Sequence, residues 1–183
     1  ARPFPGTNVA ELKLGLRGAA MLHIDIALNA FRARDTQQFE FQAAIADGWL
    51  TLADNRKSAP GSLRSRLNVA LARLLIASGD LGLAERHLVR LNERIPNDPA
   101  IQLAYGTVKE AQAMRRLAAS PGGTLEDPAR AAPARRTDLT AAAALFQKAV
   151  TDATHIEARL RLAHVHILKG DDAEAEALLK DVL

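Results

Sequence analysis

Residues 71–80 read Leu-Ala-Arg-Leu-Leu-Ile-Ala-Ser-Gly-Asp, and residues 162–171 read Leu-Ala-His-Val-His-Ile-Leu-Lys-Gly-Asp. In both, the Leu-Ala pair precedes Gly-Asp at the same interval, and an alanine (Ala84, Ala175) follows each glycine at the same distance. Apolar residues recur at helical spacing on both sides of the glycine: Leu88 and Leu91 follow Ala84, and Leu179 follows Ala175. A glycine that ends one apolar-periodic stretch, with an aspartate to start the next, punctuates a helical hairpin. The two glycines lie about ninety residues apart, and self-similarity at a fixed interval marks a repeat architecture.

The composition agrees with helices. Ala, Leu and Arg dominate the 183 residues, aromatic residues are few, and no alternating Val/Ile/Thr strands with hairpin turns occur, so the expected class is all-α. A core rich in alanine lets helices approach closely. The chain has no cysteine, which excludes disulfides, thiolate metal sites and a cysteine nucleophile together. The net charge of +3 rests on arginines interspersed with acids, such as Glu85-Arg86 and Glu93-Arg94. That pattern reads as a solvated surface and not as a nucleic-acid face. No apolar run approaches the roughly 18–20 residues needed to span a bilayer. The Ala-Arg-Pro start fits the mature side of a signal-peptide cut and fits a cloning boundary equally, so cytoplasmic and exported settings both stay open.

Along the chain, two prolines make residues 1–7 an extended lead-in. Asn8 with Glu11 reads as an N-cap and its reciprocal acid, opening a helix to about Arg34 whose apolar face carries Leu12, Leu16, Ala20, His23, Ala27 and Phe31. Asp35-Thr36 can cap a second helix to about Asp54. Ser62 caps a helix ending at Ser78, and the helix after Gly79-Asp80 ends near Arg94. In Ile95-Pro96-Asn97-Asp98-Pro99 the prolines stop one helix, and Asn97 or Asp98 caps the next with Pro99 at its first position, running to about Ala118. A segment rich in proline, glycine and arginine then interrupts the pattern at about 118–138. The organisation expected is a helical pair at 1–61, either a degenerate repeat or a cap, followed by repeats over 62–183.

These stretches resemble the tetratricopeptide repeat, in a divergent, bacterial-type form, over roughly residues 62–114 and 138–183. In the first copy Leu71 and Ala72 take the places where the family packs its helices A and B together, with Gly79 at the turn, Ala84 at the tightest crossing and Pro96 at the exit. Tyr105 and Gly106 fill the large-small pair in a second copy, whose helix B, read as Leu139 to Ala153, carries Ala142, Phe146 and Ala149. Leu162 and Ala163 fill it in a third copy that begins near Ile156. Two repeats of about 34 residues leave about 23 between the glycines, which matches the interrupting segment. Asn68, Gln102 and Arg159 depart from the tryptophan the family favours. The resemblance implies antiparallel helical hairpins stacked as a right-handed α-α superhelix.

Residues that could carry chemistry do not gather. His164 and His166 are two apart, which on a helix sends the rings about 200° from one another and precludes a shared metal. His23 reads as a packed histidine, and His87 and His155 as surface or turn residues. Glu11, Asp25, Asp47, Glu85, Glu110 and Glu157 fall on expected exterior faces, where no acid–base pair forms. Asp171-Asp172 reads as the N-cap of the last helix. Neither glycine-rich spot follows a strand or ends in Lys-Ser/Thr, so a phosphate loop is absent. The arginines Arg115, Arg116, Arg130, Arg135 and Arg136 are read as belonging to a disordered, soluble loop. No cofactor, metal site or enzymatic activity is expected.

The family resemblance implies a working surface on the inner, helix-A face. Carried over residue by residue, it selects Arg66, Val69 and Arg73 in the first copy, Leu103, Thr107 and Glu110 in the second, and Leu160 and His164 in the third. Val69 and Arg73 stand where one well-known subset places the Lys and Asn that clamp a peptide carboxylate, so that clamp is not supported. The expected function is a non-catalytic scaffold binding a peptide or protein segment on this concave face. The alternative is a regulatory or accessory domain of a larger enzyme or signalling protein. Leu183 falls inside the last helix B without a polar cap, which suggests a fragment, or self-association through an uncapped C-terminal face.

Overall fold

One turn recurs three times in the computed structural model, which describes residues 9–53, 61–119, 133–150 and 156–182. The eight helices among them are α1 (Val9–Arg32), α2 (Thr36–Ala53), α3 (Leu63–Ala77), α4 (Leu81–Arg94), α5 (Pro99–Ala119), α6 (Pro133–Ala149), α7 (Ile156–Lys169) and α8 (Asp172–Lys180). Gly79 and Gly170 end α3 and α7 with φ of 84° and 85°. Each closes with the same pair of bonds: Gly79 N to Ile76 O with Asp80 N to Leu75 O, and Gly170 N to Ile167 O with Asp171 N to His166 O. This is the Schellman pattern, whose left-handed residue favours glycine. The α1–α2 turn repeats it through Arg34 N to Phe31 O and Asp35 N to Ala30 O, but there Arg34 takes the left-handed place with φ 60°.

Aligned on that turn, Ala27, Ala72 and Ala163 coincide, and all three are at most 1% exposed. Phe39 holds the place of Ala84 and Ala175, and Ala43 the place of Leu88 and Leu179. Large and small have changed places, which hides the register of the first pair from a search for small residues. Arg34→Gly removes the steric penalty of a side chain in this conformation and is expected to raise stability by about 0.5–1 kcal/mol after the greater chain entropy of glycine is deducted. The denaturant midpoint measures it, and a lower midpoint contradicts the reading.

The chain forms two compact units, Ala1–Asn68 and Val69–Leu183, with the boundary inside α3. In the first, α1 packs on α2 over Ala20, Ala27, Phe39, Ala46 and Leu50. The Phe31 and Phe39 rings meet edge to face at 6.0 Å. Asp35 Oδ1 accepts from Gln38 N at 2.9 Å, as expected of a cap. His23 is packed, with Nδ1 2.6 Å from Gln42 Oε1. Asp47, expected on an exterior face, is instead buried in a two-point ion pair: Arg64 Nε donates to Oδ1 and Nη2 to Oδ2, the latter at 2.6 Å. Burial of Asp47 follows from its place beside Ala43, Ala46 and Leu50 on the apolar side of α2.

In the second unit the caps fall where the sequence puts them. Asp80 accepts from Leu83 N, and Asp98 Oδ1 accepts from Ala100 N at 2.9 Å and Ile101 N at 3.3 Å, with Pro99 as the first residue of α5. Asp171 differs. It occupies the N-cap of α8, but its carboxylate turns to Lys169 Nζ at 2.5 Å and His166 Nδ1 at 3.1 Å and caps no backbone N–H. The hydrogen bond from Lys169, with the smaller contribution of His166, holds the Asp171 carboxyl below its ordinary range against a modest opposing effect of burial.

The helix expected from Leu139 begins six residues earlier, at Pro133. Arg115 and Arg116 lie on α5, and Arg135 and Arg136 on α6, so the reading of these four as loop residues is corrected; Arg130 lies outside the described residues. Arg135 is 1% exposed and donates from Nη2 to Leu168 O at 3.2 Å, a carbonyl the end of α7 leaves open. The Asn8 cap, the lead-in, the break after Asp54, His155 and the middle of the interrupting segment also fall outside the described residues. The core of this unit forms where α6 lies against both α5 and α7, around Phe146, Leu139, Ala142, Leu162 and Val165. Among the described residues no helix is long and apolar enough to cross a membrane.

A polar ladder joins α4, α5 and α6. Lys109 Nζ pairs with Glu85 and lies 3.8 Å from Asp138, while Arg116 Nε reaches Asp138 Oδ2 at 2.7 Å. Burial of Glu85 works to raise its carboxyl pKa, but hydrogen bonds from Lys109 and Gln112 and the charges of Lys109 and Arg116 outweigh it, and the net shift is downward. A depressed folded pKa contributes stability that is present above the ordinary carboxylate range and lost as pH falls through the folded value. The stability difference between wild type and Glu85→Gln is therefore expected to shrink from about pH 6 to about pH 3, read by denaturation at each pH. A difference that grows on acidification contradicts the sign.

A candidate interaction face on α5 and α7

Glu110 organises the helix-A side of the second unit. It sits midway along α5 with its side chain only 8% exposed. An isolated carboxylate there would be costly, and two groups from α7 meet it. Arg161 Nη1 donates to Oε2 at 2.8 Å, and His164 Nδ1 lies 2.6 Å from Oε1. Arg161 also donates from Nε to Glu157 Oε1 at 3.3 Å, one helical turn back along α7. Glu157 in turn lies 3.9 Å from Arg73 Nη2 on α3, with both side chains 56% exposed.

The result is a chain of contacts, Arg73–Glu157–Arg161–Glu110–His164, across three helices, alternating in charge from Arg73 to Glu110. Its two ends differ in strength. At one end the Glu110 carboxylate is shielded from water, and Arg161 and His164 reach it from the solvent side at 2.8 and 2.6 Å. The Arg73–Glu157 contact is long and solvated, worth about 0–1 kcal/mol, so an incoming ligand can take Arg73 at little cost.

Beside Glu110 opens a cavity of about 540 Å3. Ile76, Leu81, Ala111 and Met114 supply apolar walls, and Thr107, Glu110, Arg115 and Arg161 supply polar ones. The hydroxyl of Thr107 donates to Leu103 O at 2.9 Å, which turns its methyl group free of that bond. Further along α7, Leu160 and Ile167 are 44% and 47% exposed at the spacing that puts them on one side of the helix with His164.

Of the residues selected from the sequence, Arg73, Glu110 and His164 are joined by the chain of contacts, and Thr107 and Glu110 line the cavity. Leu160 and Arg66 are exposed. Val69 and Leu103 are buried at 5% and 7%, Leu103 within the α5–α6–α7 core, so neither is open to a ligand, which corrects their selection. Arg161, the residue that joins two acids, was not selected, although its spacing from Glu157 and His164 carries the signal. Glu110 and Glu85, expected outside, are drawn inward by their cations. Among the described residues no three His, Cys, Asp or Glu side chains gather as a metal site would need.

The described residues define an all-α protein of helical hairpins, with exposed apolar and charged groups on the helix-A side of α5 and α7. The sequence model of the tetratricopeptide repeat matches residues 134–183, the span of α6, α7 and α8. Residues 134–183 thus carry a tetratricopeptide repeat, and repeats of this family generally mediate protein–protein interaction. No curated protein and no solved structure matches the chain.

Proposed function

We propose that this protein is a non-catalytic interaction scaffold that holds a peptide or protein segment on the helix-A face of α5 and α7. The observation that carries the reading is the coincidence of three things on that face: a shielded Glu110 met by Arg161 and His164, an adjoining cavity, and the exposed Leu160 and Ile167. Exposed apolar groups beside paired polar groups supply both ingredients of a binding surface, a desolvating centre and orienting polar groups.

Leu160→Asp with Ile167→Asp tests it, because neither side chain is needed in the core. Partner capture from the protein's own cells is expected to fall at least about tenfold, equivalent to about 1.4 kcal/mol, with helicity by circular dichroism unchanged. Capture at the wild-type level by a fully helical double variant removes this face from the account.

A further inference from the structure

We infer that the cavity beside Glu110 takes one large apolar side chain of a partner peptide, and that the residue next to that anchor is Asp or Glu. This rests on the proposed function and adds the chemistry of the ligand. Ile76, Leu81, Ala111 and Met114 present only hydrocarbon and sulfur to the cavity, from three helices that converge there. Its volume of about 540 Å3 falls within the range of ligand pockets and has room for a leucine- to tryptophan-sized side chain with some adjoining backbone. Met114 can adjust its rotamer to different anchors.

The charge at the rim decides the neighbour. Glu110 is already matched by Arg161 and His164. Arg115 is not matched in this way: its Nη2 donates to the neutral carbonyl of Gly79, and it has no carboxylate partner among the described residues. It is exposed, so its guanidinium meets the approaching ligand. The rim therefore carries an excess of positive charge. A carboxylate beside the anchor gains charge-assisted hydrogen bonds from Arg115, whereas a lysine there meets the guanidinium groups of Arg115 and Arg161.

The test is a displayed library of random heptapeptides selected on the full chain. Enriched sequences are then synthesised with both ends blocked, so that a side-chain carboxylate cannot be confused with a terminal one. The expected consensus is a single Leu, Met, Phe or Trp adjacent to Asp or Glu. Against wild-type protein, changing that acid to lysine is expected to weaken binding at least about tenfold. Ala111→Trp, which fills the cavity, and the exposed Arg115→Glu are each expected to do the same with the wild-type peptide. A consensus that is basic or lacks an apolar anchor overturns the inference. So does binding indifferent to both protein variants. If such peptides still depend on Leu160 and Ile167, the inference fails while the interaction reading stands. A library that yields no binder counts against both.

Discussion

Phe146→Ala is expected to lower the unfolding free energy by about 3–5 kcal/mol, the cost of removing a large buried side chain and leaving the space unfilled. Phe146 is 0% exposed on α6, the helix whose neighbours α5 and α7 both pack on it. Its ring fills the place where Gly106 of α5 has no side chain: a Cβ on Gly106 would lie 2.6 Å from Phe146 Cε1. Nothing on α5 at that point can move in to refill the void, so relaxation recovers little. Denaturant unfolding measures the loss, and a value below about 1 kcal/mol contradicts the close α5–α6 approach. Gly106→Ala in the wild-type background is expected to destabilise by steric overlap, although alanine has the better helix propensity. The same change is expected to be tolerated once Phe146 is alanine. That coupling separates a packing effect from an effect on the unfolded chain.

Asp47→Ala is expected to cost about 3–5 kcal/mol, because it removes the two-point carboxylate partner of a guanidinium held away from water. The side chains of Arg64 and Asp47 are 4% and 10% exposed, and the two-point geometry pairs both carboxylate oxygens. The double change Asp47→Leu with Arg64→Met removes both charges of this pair and is expected to lie within about 1 kcal/mol of wild type, or above it. Equal losses in the single and double variants contradict the claim that uncompensated charge is the source of the cost.

Local signals made most of the helix boundaries legible. Gly79, Gly170, Asp80 and Asp98 act through their own backbone and its next few neighbours, and their roles follow from residue type alone. Tyr105, Gly106, Ala142 and Phe146 were also readable, because a glycine opposite a phenylalanine is a local pattern on each helix. What stayed hidden depends on contacts between helices. Arg34 is the local exception: its left-handed turn is closed by Phe31 O and Ala30 O of its own helix, but an arginine side chain carries no signal of it. Phe39 and Ala43 exchange size with their counterparts, and a search for alanine at one position passes over both. Glu110 and Asp47 look solvated in sequence, and their burial is accompanied by Arg161, His164 and Arg64 arriving from other helices.

The same distinction explains the site. Arg73, Glu110 and His164 were selected because helix-A positions repeat, and the structure joins them in one chain of contacts. Val69 and Leu103 were selected by the same positional logic, but burial removes them, because the face a given position presents depends on how closely its hairpin meets the next. Arg161 was missed because its importance comes from having acids on two helices within reach at once.

Photo-cross-linking from single positions tests the binding face most directly. A diazirine amino acid is placed in turn at Leu160 and Ile167 on α7, and at Arg90 on α4 and Lys148 on α6, all of them exposed. The account predicts that a discrete partner adduct forms from Leu160 and Ile167 and is absent from Arg90 and Lys148. Adducts that form from Arg90 or Lys148 and not from α7 would contradict it, placing the partner on the helix-B side.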